Sequence, residues 1–106
     1  MENTACKSIV LAALDDLKAQ NVIDLPVKEI SGFTDHLIIA SGTSSTHVKA
    51  LADNIIKSVK AHGIDPISQE GYETCEWVLV DLGDVVVNIM QARTRDYYYL
   101  EGLWGR

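Results

Sequence analysis

The sequence predicts an α/β fold: a single domain built on one mixed sheet of about five strands flanked by helices. Three observations carry this. The apolar spacing alternates between helical and strand periods, in the order helix, strand, strand, helix, strand, strand, strand, helix. One strand, HLIIASG (36–42), is continuously apolar, as befits a strand covered on both faces. A long amphipathic helix follows it and can serve as a crossover, and the last two strands lie close enough to form a hairpin.

Taken in order, TACKSIVLAALDDLKAQ (4–20) reads as the first helix, capped by Thr4 or Asn3. Ile9, Val10, Ala13, Leu14 and Leu17 form its apolar stripe. NVIDLPVKEI (21–30) changes to a strand period, but Pro26 removes a backbone donor, so the strand lies at an edge or carries a bulge. After HLIIASG, a hydroxyl from Thr43 or Ser44 can cap the long helix, whose apolar positions are Val48, Leu51, Ala52, Ile55, Ile56 and Val59. Gly63 stands where a glycine ends a helix. IDPISQEG (64–71) gives a short strand, WVLVD and DVVVNIM give two more, and TRDYYYLEGLW (94–104) closes the chain as a short helix.

A chain of 106 residues fits one domain, 1–106, with little room for a second core. No apolar run reaches the ~20 residues of a membrane span. The first residues, MENTACKSIV, have neither a secretory nor a transit pattern, so a cytoplasmic location without membrane contact is expected. Cys6 and Cys75 lack metal-site spacing and are expected to be plain thiols. The net charge of −6 is unevenly spread. Through residue 60, six lysines face seven acids; beyond it, eight acids face three arginines. Nucleic-acid affinity rests on Lys and Arg neutralising phosphates, so DNA binding is not expected and RNA binding should be slight. A basic protein surface suits the acidic half better.

WVLVDLGDVVVNIM (77–90) holds Asp81 and Asp84 inside a run of valines. A two-residue turn at Leu82-Gly83 sets Asp81 opposite Asp84; a four-residue loop keeps the same facing. One face is then Val78, Val80, Val85, Val87 and Ile89. The other is Trp77, Leu79, Asp81, Asp84, Val86, Asn88 and Met90. This second face is either a protein-binding patch with a polar edge or a surface covered by a helix that leaves only the aspartates wet. As a metal site the two carboxylates are poor: they supply too few ligands, lack Asp-x-Asp spacing and have no histidine near in sequence, so no metal or other cofactor is expected.

SGTSS (41–45) before a helix offers backbone N–H groups to an anion, and His47 could pair with Ser44 as base and nucleophile. A capped strand-to-helix turn explains the segment more simply. Tyr97, Tyr98 and Tyr99 cannot all face inward on one helix, and exposed tyrosines suit interfaces.

DHLIIASGTSSTHVKALAD, the EG of SQEGYE, WVLVDLGDVVVNIM and RDYYYLEGLW together resemble the ribosomal silencing factors, also called Iojap-related proteins, over nearly the whole chain. The resemblance implies a fold related to nucleotidyltransferases without their catalytic carboxylates. It implies no enzyme but a translational repressor, commonly a homodimer off the ribosome, that binds the large ribosomal subunit through ribosomal protein L fourteen. There it blocks joining of the small subunit when nutrients are scarce. Matching positions implicate Trp77, Leu79, Asp81, Val86, Met90, Tyr98 and Leu100 in docking. Asn88 belongs to the same face but stands where the family often has histidine. Thr46, His36 and Gly102 also depart from the usual pattern, where arginine, an aromatic and a basic residue are common. The alternative function is nucleotide binding or nucleotidyl transfer using SGTSS with Asp81 and Asp84.

Overall fold

The computed structural model describes residues 3–26 and 35–98, with side chains described over 6–26 and 35–95. The elements are α1 (Asn3–Asp16), β1 (Gln20–Pro26), β2 (His36–Gly42), α2 (Ser45–Ala61), β3 (Ser68–Glu70), β4 (Trp77–Asp81), β5 (Val85–Gln91) and α3 (Ala92–Tyr98). The strands form one five-stranded sheet in the order β1-β2-β5-β4-β3. Among the described strands β2 and β5 pair in parallel, and the other three pairs are antiparallel. The expected mixed α/β sheet is therefore the fold.

Both long helices stop with the same backbone geometry but different residues. At the end of α2, Gly63 takes φ +80, and Gly63 N and Ile64 N donate to the carbonyls of Lys60 and Val59. At the end of α1, Lys18 takes φ +61, and Lys18 N and Ala19 N donate to Asp15 and Leu14. Both are Schellman caps, which need one left-handed residue. Glycine announces the first; lysine hides the second, and so α1 is shorter than its apolar periodicity suggests. Leu17, expected on the buried stripe, falls beyond the helix and is 38% exposed.

At the other end of α2, Ser44 is the N-cap, its side chain accepting from His47 N. Val48, Leu51, Ala52, Ile55 and Val59 of this helix are buried against the sheet. They join Val10, Ala13 and Leu14 of α1 and the face carrying Ile38, Ala40, Val78, Val80, Val85, Val87 and Ile89. Asn54 Nδ2 donates to the Ala13 carbonyl, fastening the two helices together. Cys6 and Cys75 are buried free thiols.

Edge strand β1 bears out the reading of Pro26: its register shifts between Gln20 and Ile23, where Asn21 takes φ +49. Arg95 of α3, 5% exposed, reaches this irregularity by donating from Nη1 to the Asn21 carbonyl and to Ser41 Oγ. On the opposite face of the sheet from α1 and α2 lies a smaller apolar cluster of Leu37, Ile39, Val86 and Met90, bordered by Leu25, Trp77 and Leu79. That face carries the candidate site.

Candidate functional site

The site is built on the hairpin of β4 and β5. Trp77 pairs with Met90, Leu79 with Asn88, and Asp81 with Val86. Leu82 N donates to the Val85 carbonyl, so the tight turn is Gly83-Asp84, with Gly83 at φ +90. A glycine at the first central position of a two-residue hairpin loop is what the strand twist favours. The pairing thus differs by two residues from a Leu82-Gly83 turn. A shift of two preserves the faces, so the division into a valine face and a mixed face stands. It does separate the carboxylates. Asp81 Oδ1 accepts from Gly83 N at 2.9 Å and stabilises the turn, while Asp84 is exposed beyond it.

The mixed face is uneven. Trp77, Leu79 and Asp81 on β4 are half-buried and reachable. Val86, Asn88 and Met90 on β5 are 6%, 3% and 0% exposed, so their expected direct contact with a partner is corrected: their side chains lie beneath the surface. The reason is strand order. β5 is the central strand, flanked by β2 and β4, and its side chains pack among those of its neighbours. A hairpin sequence does not say which of its two strands is central. Tyr98 is the last residue of α3, its side chain outside those described, and Leu100 lies outside the described residues.

Asn88 has a different task. Its Oδ1 accepts from Trp77 Nε1 at 2.7 Å. A buried amide that receives the indole N–H fixes the ring's orientation, and an indole rim needs such a partner when half-buried. Beside the ring, Trp77, Leu79, Glu70 and Gly71 line a recess of about 250 Å³. Glu70 enters because β3 pairs with β4, placing Glu70 opposite Leu79. Sequence reading did not put Glu70 at the site, since nothing local specifies that register. Gly71, the glycine of the EG pair, takes φ +94, and a Cβ there would fall 2.0 Å from the Trp77 carbonyl oxygen. The loop backbone lies directly against the start of β4.

The fold does not assemble the alternative constellation. SGTSS begins with the last two residues of β2, Ser41 and Gly42, whereas the Asp84 carbonyl accepts from Asp35 N and His36 N at the strand's beginning. Seven residues of strand set these ends roughly 20 Å apart. Two N–H groups of the turn are already occupied: Thr43 N donates to His47 Nδ1 and His47 N to Ser44 Oγ. His47 Nε2 donates to the Leu17 carbonyl, so the imidazole ties the β2–α2 turn to the end of α1, and Ser44 serves as a cap. Among the described residues no group of three or more His, Cys, Asp or Glu is placed to hold a metal. At the departing position His36, Nδ1 lies 3.0 Å from Asp24 Oδ1, and Lys7 Nζ lies 3.1 Å from Asp24 Oδ2.

Two titrating groups lie away from this face. Burial, reinforced by the charge of Asp84, raises the Cys6 thiol above its ordinary 9.0. Burial, then the charge of Asp53 and a hydrogen bond to it, raises the Tyr72 phenol above its ordinary 10.0. The folded chain holds both protons more tightly than the unfolded one. Their contribution to stability is therefore fully present below about pH 9 and is lost as pH rises from there. Urea unfolding between about pH 8 and pH 11 should show a falling midpoint, and Tyr72→Phe should flatten the loss above pH 10. A midpoint constant over that range would contradict it.

Comparisons with known proteins bear on this geometry. A family profile described as "Ribosomal silencing factor during starvation" matches residues 2–106. The chain is similar to the "Ribosomal silencing factor RsfS" of Chromobacterium violaceum, at 41% identity over 105 residues, covering 99% of this chain and 86% of that protein. A crystal structure of a Chromobacterium violaceum protein superposes with a TM-score of 0.97 at 41% identity, covering 99% of this chain and 88% of that one. More distantly, a mouse protein named "Mitochondrial assembly of ribosomal large subunit protein 1" is 32% identical over 94 residues, 83% of this chain and 41% of that protein.

Proposed function

The chain belongs to the ribosomal silencing factor family, and from that premise we propose that it represses translation by docking β4 on the large ribosomal subunit through ribosomal protein L fourteen. The single observation that carries this reading is the row of Trp77, Leu79 and Asp81 on β4: an aromatic and an aliphatic group with a carboxylate at the edge, on one reachable face. A desolvated aromatic centre with a polar rim is how protein interfaces concentrate their energy. The name of the mouse relative supports the large subunit as the partner. Acidity supports a basic protein contact: from residue 61 to residue 84 there are six carboxylates and no Lys or Arg.

No turnover is required. A bound domain occupies the volume that the small subunit needs, so repression follows from occupancy. Trp77 and Leu79 form the desolvated centre, and Asp81 meets basic side chains. Tyr98 and Leu100 extend the contact. Val86, Asn88 and Met90 support it from beneath. Off the ribosome the chain pairs as a homodimer.

Sucrose-gradient sedimentation with purified subunits tests the reading. The protein should travel with large subunits, not with small ones, and should lower the yield of joined ribosomes. Joining at full yield with the protein bound would end the steric mechanism, and absence from the large-subunit fraction would end the docking.

Asn88 offers a finer check. Asn88→Leu leaves the indole N–H without its acceptor and should cost about 1–2 kcal/mol of stability. It should also weaken large-subunit binding several-fold by freeing the ring. Asn88→His supplies a ring-nitrogen acceptor and should retain binding. If folded Asn88→Leu binds like the wild type, the amide does not position Trp77.

A further inference from the structure

The sheet has a second feature, the outer edge of β3, which meets the Trp77 recess only at Glu70. β3 bonds to β4 on one side, and no described strand lies on its other side. Proteins usually blunt such an edge by making it short and charged. β3 is short, yet Ile67, immediately before it, is 68% exposed, far more than Leu17 or Val22 at 38%. Ile67 is held in line by its own N–H, which donates to the Asp81 carbonyl. Alongside, a groove of about 480 Å³ between the edge and α2 is lined by Asp53, Ile56, Gln69 and Tyr72.

One wall of this groove is preset. Tyr72 OH donates to Asp53 Oδ1 at 3.1 Å, and Lys49 Nζ lies 2.9 Å from Asp53 Oδ2. The ring is thereby fixed and the Asp53 charge is answered within the chain. Glu70, Glu73 and Glu76 are exposed nearby, and the whole stretch 61–84 contains no Lys or Arg.

The two faces of the edge differ in what they offer. Gln69 lies opposite Val80, on the face of α2 and the groove, whereas Ser68 and Glu70 lie opposite Asp81 and Leu79, on the other face. A strand added beside β3 would point alternate side chains to these two faces. Apolar side chains would enter the groove against Ile56 and Tyr72, and basic ones would meet Glu70.

We propose that the open edge of β3, with the groove between it and α2, docks an extended segment of a partner protein in which Lys or Arg alternates with aliphatic residues. The segment adds as a sixth strand. Its backbone meets the free edge, its aliphatic side chains fill the groove, and its cations answer the carboxylates. An RNA strand would instead bring phosphates against carboxylates with no Lys or Arg in this stretch to receive them. This contact is additional to the one proposed for Trp77: it shares Glu70 with that site but does not require the indole.

The test is an amide NMR titration of the full chain with a seven-residue peptide alternating arginine or lysine with valine. A counterpart with glutamate at the basic positions and a short single-stranded oligoribonucleotide run beside it. The expected result is shifts over residues 67–72 with the basic peptide only, suppressed by salt. Ile67→Lys with Glu70→Lys should weaken them about tenfold or more. Glu70→Lys alone, at an exposed position, serves if the double variant does not fold. Trp77→Ala should keep the peptide shifts while losing the large subunit, so failure of either contact is distinguishable from failure of the other. Shifts centred on Trp77 and Leu79, equal shifts with the acidic peptide or the RNA, or no shifts at all would overturn the proposal.

Discussion

Replacement of Trp77 by alanine is expected to cost at least about 2 kcal/mol of binding to the large subunit, roughly thirtyfold in Kd. The indole sits at the start of β4, half-buried, with its N–H satisfied by Asn88 and its flank open to the recess beside Glu70. A ring already oriented and already hydrogen-bonded loses little freedom on docking, and that makes it an efficient anchor. The fold should survive the change. Among the described residues Trp77 borders the smaller apolar cluster, while the main core lies on the opposite face with α1 and α2. Subunit binding by sedimentation, with circular dichroism on the same sample, separates the two effects. A folded Trp77→Ala protein that retains full affinity would remove the indole from the interface.

The largest expected loss of stability belongs to Gly71→Ala, at about 3 kcal/mol or more. The new Cβ would lie 2.0 Å from the Trp77 carbonyl oxygen, and backbone cannot swing aside as a side-chain tip can. The residue would also have to hold φ +94. Gly63→Ala provides the comparison: φ is +80, yet nothing lies within 4 Å of the added carbon. Its cost should be the conformational one alone, about 1–2 kcal/mol. Urea midpoints of the two variants measure the difference. Equal losses would mean that the loop at Gly71 moves freely against β4.

Stability and function meet at that loop. The segment that Gly71 presses against β4 also brings Glu70 to the recess beside Trp77, so a displaced loop should disturb docking even where the chain still folds. The EG pair is thus explained by close packing on the hairpin as much as by charge.

Much of the architecture was legible along the chain, because it depends on local periodicity and local caps. The continuous apolar run 36–42 marked a strand covered on both faces, Pro26 marked an edge or a bulge, and Thr43 or Ser44 with Gly63 bracketed α2, whose cap is Ser44. The two faces of the hairpin followed from the period of two, which even a two-residue difference in turn position leaves intact. Membership in the family was legible too, through motifs spread over nearly the whole chain.

Long-range pairing decided the rest. Whether β4 or β5 is central depends on β2 pairing with β5 across 49 positions of sequence, as in His36 with Val85, and no local signal encodes it. That pairing buries Val86, Asn88 and Met90 and leaves Trp77, Leu79 and Asp81 as the reachable part of the same face. The register of β3 likewise brings Glu70 beside Trp77, and the length of β2 keeps SGTSS away from Asp81 and Asp84. Periodicity assigns a side chain to a face; only the order of strands across the sheet determines whether that side chain meets a partner or its own neighbours.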